Sequence, residues 1–583
     1  MAALLIACVI GIPWAGALVV LLVDHQREAL RHQVAIGFAV VAAIASLLLL
    51  TQTSDEAAIT VEMGAVFGDL IFVPDGLGVF LTATAAVIGS LTVVFSMDYM
   101  KGETQLGRYY AFVLLFIGAM CGLALTGSLL FLFFFWEITA LCSYALISFY
   151  NDDPKAVSGG VKALIMTQIG GVGLLIGALV AHNYTGSYQI AALLAVADTL
   201  PADVLSFLGF GFLIAAAAKS AQVPFHTWLP GAMEAPSPIS ALIHAATMVN
   251  AGVYLLARFY PAFANVDYWT GAVVTVGALS ALLAAFMALV AHDLKRALAY
   301  STISQLGYMV YAVGVGAIYA SQFHLMSHAV FKALLFLAAG ALIHATGTRD
   351  MREMGGLGRK MPFIRNVFLI GALALAGVPV LNGFWSKELI LEYGIEDGPL
   401  LAYMVMLLGA GLTALYTARM VWLVFYGQPR SELHAHDATP AMRIPLGALA
   451  GGSLVTWLLV APFTGMLADT LPYHDLHSLS LGKLVSDILT APPTWLALAV
   501  VAGGFALWHF RSNLEAVSNA LRWPGMLAAY DFGFEWLNGR MTGVTNETTR
   551  LLSRLQTGQL NWNVIGIGGG LVFVLVYLMW GGA

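Results

Sequence analysis

The chain has 583 residues, of which 60% are hydrophobic and 10% charged, with a formal net charge of -6. Soluble domains carry about 45–50% apolar and about 25% charged residues, so this composition excludes a cytosolic enzyme, a disordered chain and a nucleic-acid binder. Cys8, Cys121 and Cys142 lie in apolar runs without CxxC spacing. This leaves no thiolate set for an iron–sulfur cluster or structural zinc, and no redox cofactor is expected in the chain itself.

A helix needs about 20 mostly apolar residues to cross the hydrocarbon layer. Along this sequence the requirement is met sixteen times, at centres near residues 13, 43, 88, 118, 139, 171, 212, 250, 280, 308, 334, 372, 412, 456, 501 and 572. The fold class expected is therefore an all-α polytopic membrane protein. Residues 1–23 have no basic leader or small-residue cleavage site and read as a retained first helix. Most of the 26 Lys and Arg residues fall in alternate loops, such as those with Arg27 and Arg31, Lys101 and Arg108, Lys155 and Lys162, Lys295 and Arg296, and the run from Arg349 to Arg365. The opposite loops are left with Arg258 and Lys483, and the stretches holding Asp55 to Asp75 and Glu392 to Asp397 have no basic residue. By the positive-inside rule both termini lie outside.

Lys219, Lys332 and Lys387 fall within spans instead. Placing a lysine at mid-membrane costs roughly 2.5–3.5 kcal/mol on insertion scales, and such residues usually face a protein interior or a wet cavity on an ion path. The plain alternative is a lysine snorkelling from a helix end. Lys219 precedes Ala-Gln-Val-Pro-Phe-His, where Pro224 interrupts the helix; Lys387 closes Gly-Val-Pro-Val-Leu-Asn-Gly-Phe-Trp-Ser-Lys, where Pro379 and Gly383 do the same. Two interrupted spans in corresponding halves point to a transport site built from internal repeats, read here as spans four to eight and nine to thirteen. Between them His324, His328 and Lys332 stand at i, i+4 and i+8, a polar stripe about 12 Å long on one helix. Imidazole titrates near neutral pH and a buried lysine responds to nearby charge, so the stripe can pass protons. A metal site on the two histidines lacks an accompanying carboxylate or thiolate. His244, among small residues, either extends the path or is a hydrogen-bonded packing histidine. Glu137, in Phe-Phe-Phe-Trp-Glu-Ile-Thr-Ala, reads as the one carboxylate deep in an apolar span. A charged carboxylate there needs a cation, for which Lys219 is the candidate, so that opening and closing the pair acts as a switch.

At these residues the chain resembles the antiporter-like subunits of respiratory complex I and of multisubunit Mrp-type cation/proton antiporters, specifically their long member. The resemblance runs over about residues 70–430. It rests on Phe-Trp-Glu-Ile-Thr-Ala-Leu-Cys-Ser-Tyr at 135–144, Lys-Ser-Ala-Gln-Val-Pro-Phe-His-Thr-Trp-Leu-Pro from 219 and Pro-Ser-Pro-Ile-Ser-Ala-Leu-Ile-His-Ala-Ala-Thr-Met from 236. The stretches from 293 and 328 and the motif ending at Lys387 add to it. The resemblance implies a 14-helix core with two inverted five-helix repeats, a Glu137–Lys219 coupling pair, Lys332 as central lysine and Lys387 as exit-side lysine. Lys rather than Glu at 387 favours the long subunit. Thr-Gln-Ile-Gly-Gly at 167–171 is more like the antiporter and membrane-hydrogenase relatives, whereas Gly-Thr-Arg-Asp-Met-Arg-Glu-Met-Gly-Gly-Leu from 347 looks more like complex I.

The organisation expected is residues 1–108 as helices one to three, 109–260 and 261–430 as the two transport repeats, 431–510 as helices fourteen and fifteen, and 511–583 as an interfacial segment with the last helix. Pro524, Gly533, Gly539 and Gly543 are expected to confine a continuous helix in that segment to about Val544 to Leu555. The function expected is proton translocation through Glu137, Lys219, His244, His324, His328, Lys332 and Lys387, in a complex I-related assembly of the bacterial inner membrane. Its partners are other membrane subunits, antiporter-like paralogues and lipid. Alternatives are sodium/proton exchange in an Mrp-type complex, the membrane partner of a hydrogenase or inorganic-carbon uptake complex, and a structural scaffold.

Overall fold

The computed structural model describes residues 1–64, 66–433, 435–513 and 522–555. Apolar runs become helices because a spanning backbone must satisfy its own hydrogen bonds where no water reaches. In chain order these are α1 (Ala2–Leu22), α2 (Glu28–Leu49), α3 (Gly76–Tyr99), α4 (Leu106–Leu125), α5 (Leu129–Ile147), α6 (Pro154–Thr185), α7 (Ala202–Lys219), α8 (Ser237–Phe263) and α9 (Trp269–Val290). They continue with α10 (Leu294–Gly314), α11 (Ile318–Thr346), α12 (Pro362–Ala376), α13 (Asn382–Glu396), α14 (Leu400–Tyr426), α15 (Pro440–Thr470), α16 (Leu481–Thr490) and α17 (Pro492–His509). Among the described residues twelve helices are long and apolar enough to cross a membrane, and α16 with α17, bent by 69°, makes a thirteenth. The chain is an all-α polytopic membrane protein.

Fifteen of the sixteen expected centres fall on these helices; the centre near 572 lies outside the described residues. Two of the fifteen fail the length or hydropathy test for a clear reason. The helix at 308, α10, spans 21 residues but buries Ser301, Thr302, Ser304 and Gln305, and the helix at 372, α12, stops after 15 residues. The acidic stretch before α3 holds a short hairpin that hydropathy did not foreshadow, with Ile59–Glu62 antiparallel to Asp69–Phe72 in the register Ile59↔Phe72.

Aspartates start several helices by accepting orphan backbone N–H groups: Asp75 from Gly78 at 2.8 Å, Asp153 from Lys155 at 2.9 Å and Asp293 from Arg296 at 3.0 Å. Asp437, from a distant loop, does the same for Phe363 and Ile364 at the start of α12. α9 and α10 meet backbone to backbone. A Cβ on Gly277 would stand 2.7 Å from the Gly307 carbonyl, and one on Gly307 would stand 2.6 Å from that of Gly277.

Residues 1–528 form one compact unit and residues from 529 onward a second. In the second unit, Phe534–Leu555 is a continuous helix of 22 residues, longer than the sequence reading allowed. Gly539 and Gly543 weaken a helix by about 1 kcal/mol each but remove no hydrogen bond, so they do not end it. Its start falls just after Gly533, whose φ of 83° belongs to the preceding kink.

Candidate functional site

The interruptions foreseen at Lys219 and Lys387 are present, and each lysine sits at one. α7 ends at Lys219, whose side chain is 0% exposed. Its ammonium donates to the Trp136 carbonyl at 2.8 Å and lies 4.8 Å from the centre of the Trp136 ring. Glu137 follows on α5 and is half-buried. Its carboxylate accepts from the Gln168 amide of α6, its Oε1 has no hydrogen-bond partner among the described residues, and it interacts with Lys219 through space. The pair is thus drawn together without closing: Glu137 is held by Gln168, and Lys219 by a neutral carbonyl and an aromatic face.

α8 is broken at His244, an interruption the sequence reading did not find because neither proline nor glycine marks it. Residues Leu242–Ala246 form a π-turn. The Thr247 hydroxyl donates to the Leu242 carbonyl at 2.6 Å and the Asn250 amide to that of Ala245 at 2.9 Å, satisfying acceptors that the widened turn releases. A Thr and an Asn within six residues after a span histidine were the available signal. The His244 ring is fully buried, both its nitrogens lack a hydrogen-bond partner among the described residues, and it lies 6.3 Å from Trp228 and 5.6 Å from Phe336. Trp228 in turn donates to the Ala218 carbonyl at 3.0 Å, beside Lys219.

His324, His328 and Lys332 form the stripe expected on α11, all fully buried. Their partners come from α10 and α13. His324 Nδ1 lies 2.9 Å from the Ser386 hydroxyl and Nε2 3.2 Å from Gln305 Oε1. Because the amide oxygen only accepts, Nε2 carries the proton in this arrangement and Nδ1 accepts from Ser386. Lys332 donates to the Leu298 carbonyl at 3.2 Å and to the Ser301 hydroxyl. The His328 ring, centred 6.5 Å from that of His324, has no hydrogen-bond partner on either nitrogen among the described residues. Lys387, 1% exposed, reaches back across the break after α12, donating to the Leu375 carbonyl at 3.0 Å with its ammonium 5.3 Å from the Tyr308 ring centre. Gly377, with φ 79°, makes the turn that frees that end of α12.

Three sequence readings need correction. Glu137 is not the one deep carboxylate: Glu388, next to Lys387, is 4% exposed, whereas Glu137 is only half-buried. Arg258 is not a loop residue; it is 7% exposed on α8 and bidentate to Asp75, at 2.5 and 2.9 Å, with Tyr254 completing the set. Lys295 is likewise buried, 4% exposed, in the first turn of α10, where it donates to the Ala235 carbonyl at 2.6 Å. Beside it Arg349 bridges Glu234 and Asp293, at 2.8 Å each. A cleft of about 310 Å³ opens over Asp75, Arg258 and His474, and none of the seven predicted site residues lines it.

Similarity to known proteins identifies the family. The chain matches the family described as NADH:quinone oxidoreductase/Mrp antiporter, transmembrane, over residues 126–413. It is 38% identical over 537 residues to NADH-quinone oxidoreductase subunit L of Pseudomonas aeruginosa, covering 87% of this chain and 86% of that one. It is 34% identical over 545 residues to Na(+)/H(+) antiporter subunit A1 of Staphylococcus aureus, covering 86% of this chain and 66% of the relative. Among solved structures, one chain of the Mrp complex from Dietzia aligns with a TM-score of 0.85 at 28% identity, over 100% of this chain and 62% of that one. The chain is an antiporter-like polytopic membrane subunit. It belongs to the NADH:quinone oxidoreductase/Mrp antiporter family.

Proposed function

We propose that this chain is the long, L-type proton-translocating subunit of a complex I-related assembly, and that protons cross it through Glu137, Lys219, His244, His324, His328, Lys332 and Lys387. One observation carries the reading: each of the three span lysines is fully desolvated, yet its hydrogen bonds go to main-chain carbonyls and a hydroxyl. An ammonium held by neutral dipoles alone keeps or gives up its proton according to charge arriving nearby. The row has such charge at each step, since Glu137 acts on Lys219, Lys332 on His244 and Lys387 on Lys332. A scaffold would bury apolar residues at these places at lower cost. The two repeats, spans four to eight and nine to thirteen, are read as inverted copies that each place one lysine at a helix break. Both termini are placed outside a bacterial inner membrane, with paralogous antiporter-like subunits alongside.

Sodium/proton exchange is a second reading, favoured by the match to an antiporter subunit over 86% of the chain. The test is proton uptake by vesicles carrying the purified complex, with and without sodium. Sodium-independent uptake that Lys332→Met and Lys219→Met abolish in assembled complex is expected. Full uptake in both variants overturns the reading, and uptake that requires sodium favours the second.

A further inference from the structure

Glu388 is the first of three glutamates spaced four residues apart on α13, followed by Glu392 and Glu396. That spacing puts them on one face over about 12 Å of helix axis. Their exposure rises steadily: Glu388 is 4% exposed, Glu392 half-buried and Glu396 exposed. A row of like charges on a helix is ordinarily a solvated face, but solvation does not account for the first member. Glu388 Oε2 is buried without a hydrogen-bond partner among the described residues, and Thr494 of α17 is close enough to act on its carboxyl.

Other groups converge on the same face. Asp487 of α16 and Glu396 both act on Glu392. Tyr403 of α14 is 1% exposed, its hydroxyl has no hydrogen-bond partner among the described residues, and it lies within the field of Glu388, as does Tyr308 of α10. Tyr393 is flanked by Glu392, Glu396, Asp397 and Asp487. The buried end of the row is adjacent to Lys387, and the exposed end reaches the part of the sequence that carries no Lys or Arg between Lys387 and Arg419.

We propose that Glu388, Glu392 with Asp487, and Glu396 form a proton relay joining Lys387 to the surface at the acidic end of the bundle. The relay rests on the function proposed above. In the outward step the Lys387 N–H bond breaks, and the proton passes through a bridging water to the Glu388 carboxylate, leaving neutral amine and carboxylic acid. Glu388 returns to carboxylate as Glu392 takes the proton. Asp487, sharing the field of Glu392, stabilises the protonated form because two neighbouring carboxylates hold one proton more readily than none. Glu396 then releases the proton to bulk water.

A positioned proton-transfer group contributes about 10²–10⁴-fold to the step it serves, so Glu388→Gln is expected to slow vesicle proton uptake at least about tenfold. Glu388→Asp restores most of the rate, and Glu392→Gln with Asp487→Asn slows it by a smaller factor. Normal uptake in assembled Glu388→Gln complex, alongside loss in Lys387→Met, overturns the relay and leaves the function standing; normal uptake in both overturns the function as well. A second measurement holds even if Glu388→Gln fails to assemble. With Cys8 replaced by Ser, Glu392→Cys is expected to react faster with a cationic membrane-impermeant thiol reagent than with its anionic counterpart, applied at the face bearing Asp397. Equal rates, or no reaction from that face, overturn the proposal.

Discussion

Lys219 is tied to Trp136 twice, by a 2.8 Å hydrogen bond to its carbonyl and by the ring face 4.8 Å from the ammonium, so that Glu137, one residue on, is the neighbour it does not hold. Glu137 Oε1 is without a hydrogen-bond partner among the described residues and the Lys219 ammonium has donors to spare, so the pair can close through that oxygen while Gln168 keeps the other. That gives the pair two arrangements and lets charge elsewhere in the row choose between them.

Gly171 on α6 tests this arrangement without touching an ionisable group. A Cβ at that position would stand 2.2 Å from Glu137 Oε1, so Gly171→Ala must displace the carboxylate. Alanine favours helix by about 1 kcal/mol over glycine, so the scaffold gains rather than loses. The expected outcome is intact assembly with reduced proton uptake; unchanged uptake would show that the position of the carboxylate is immaterial.

Removing Arg258 strands Asp75 as a buried charge, which costs about 3–5 kcal/mol. Arg258→Met is therefore expected to lower the thermal stability of the purified complex strongly. Adding Asp75→Asn, which neutralises the stranded charge and keeps an acceptor for the Gly78 N–H, is expected to recover part of the loss. A double variant no more stable than Arg258→Met alone would contradict the pairing.

Gln305 and Ser386 fix which His324 nitrogen carries the proton. Gln305→Leu removes the hydrogen-bond acceptor that Nε2 has among the described residues and frees the other tautomer. Slower proton uptake with a shifted pH profile is the expected result, whereas a merely structural role would leave the profile in place.

His474 lies in the loop between α15 and α16 and donates from Nε2 to the Ala257 carbonyl at 2.8 Å. Burial pushes its imidazole down to about 4 from the ordinary 6.5, and the nearby Arg258 adds to the effect. Above pH 6.5 the ring is neutral whether the loop is docked or released, and docking keeps its full strength. As pH falls from about 6.5 towards 4 the released loop takes up the proton first and docking weakens. Amide-exchange protection of residues 471–480, corrected for the intrinsic rate, is expected to fall over that window in the native chain and to stay level in His474→Gln.

The lysines and histidines of the row were legible because an ionisable residue inside an apolar run is conspicuous whatever surrounds it. What positions them was not. Ser301 and Gln305 sit on a helix whose polar face lowers its hydropathy, and only the α11 stripe opposite explains why that face is buried. Arg258 and Asp75 are 183 residues apart, so nothing local showed that a charge near a span end belonged to the interior. Glu388 is inconspicuous in the sequence because Pro379 and Gly383 mark a broken span before Lys387 and the glutamates beyond it have the composition of a loop. In the structure the second half of that span, α13, carries on from Asn382 to Glu396.

The wide turn at Leu242–Ala246 has a consequence at the far end of its helix. Thr247, with φ -129° and ψ -106°, leaves the helical path and the helix resumes at Asn250, so everything after it is re-aimed relative to an unbroken helix. The phase of Tyr254 and Arg258, and with it their meeting with Asp75, is therefore set by the same irregularity that exposes His244 to the row. Deleting one residue there would do more than tidy a distorted helix: it would swing the guanidinium away from its carboxylate, so local disorder near the histidine and long-range order at the opposite surface are inherited together.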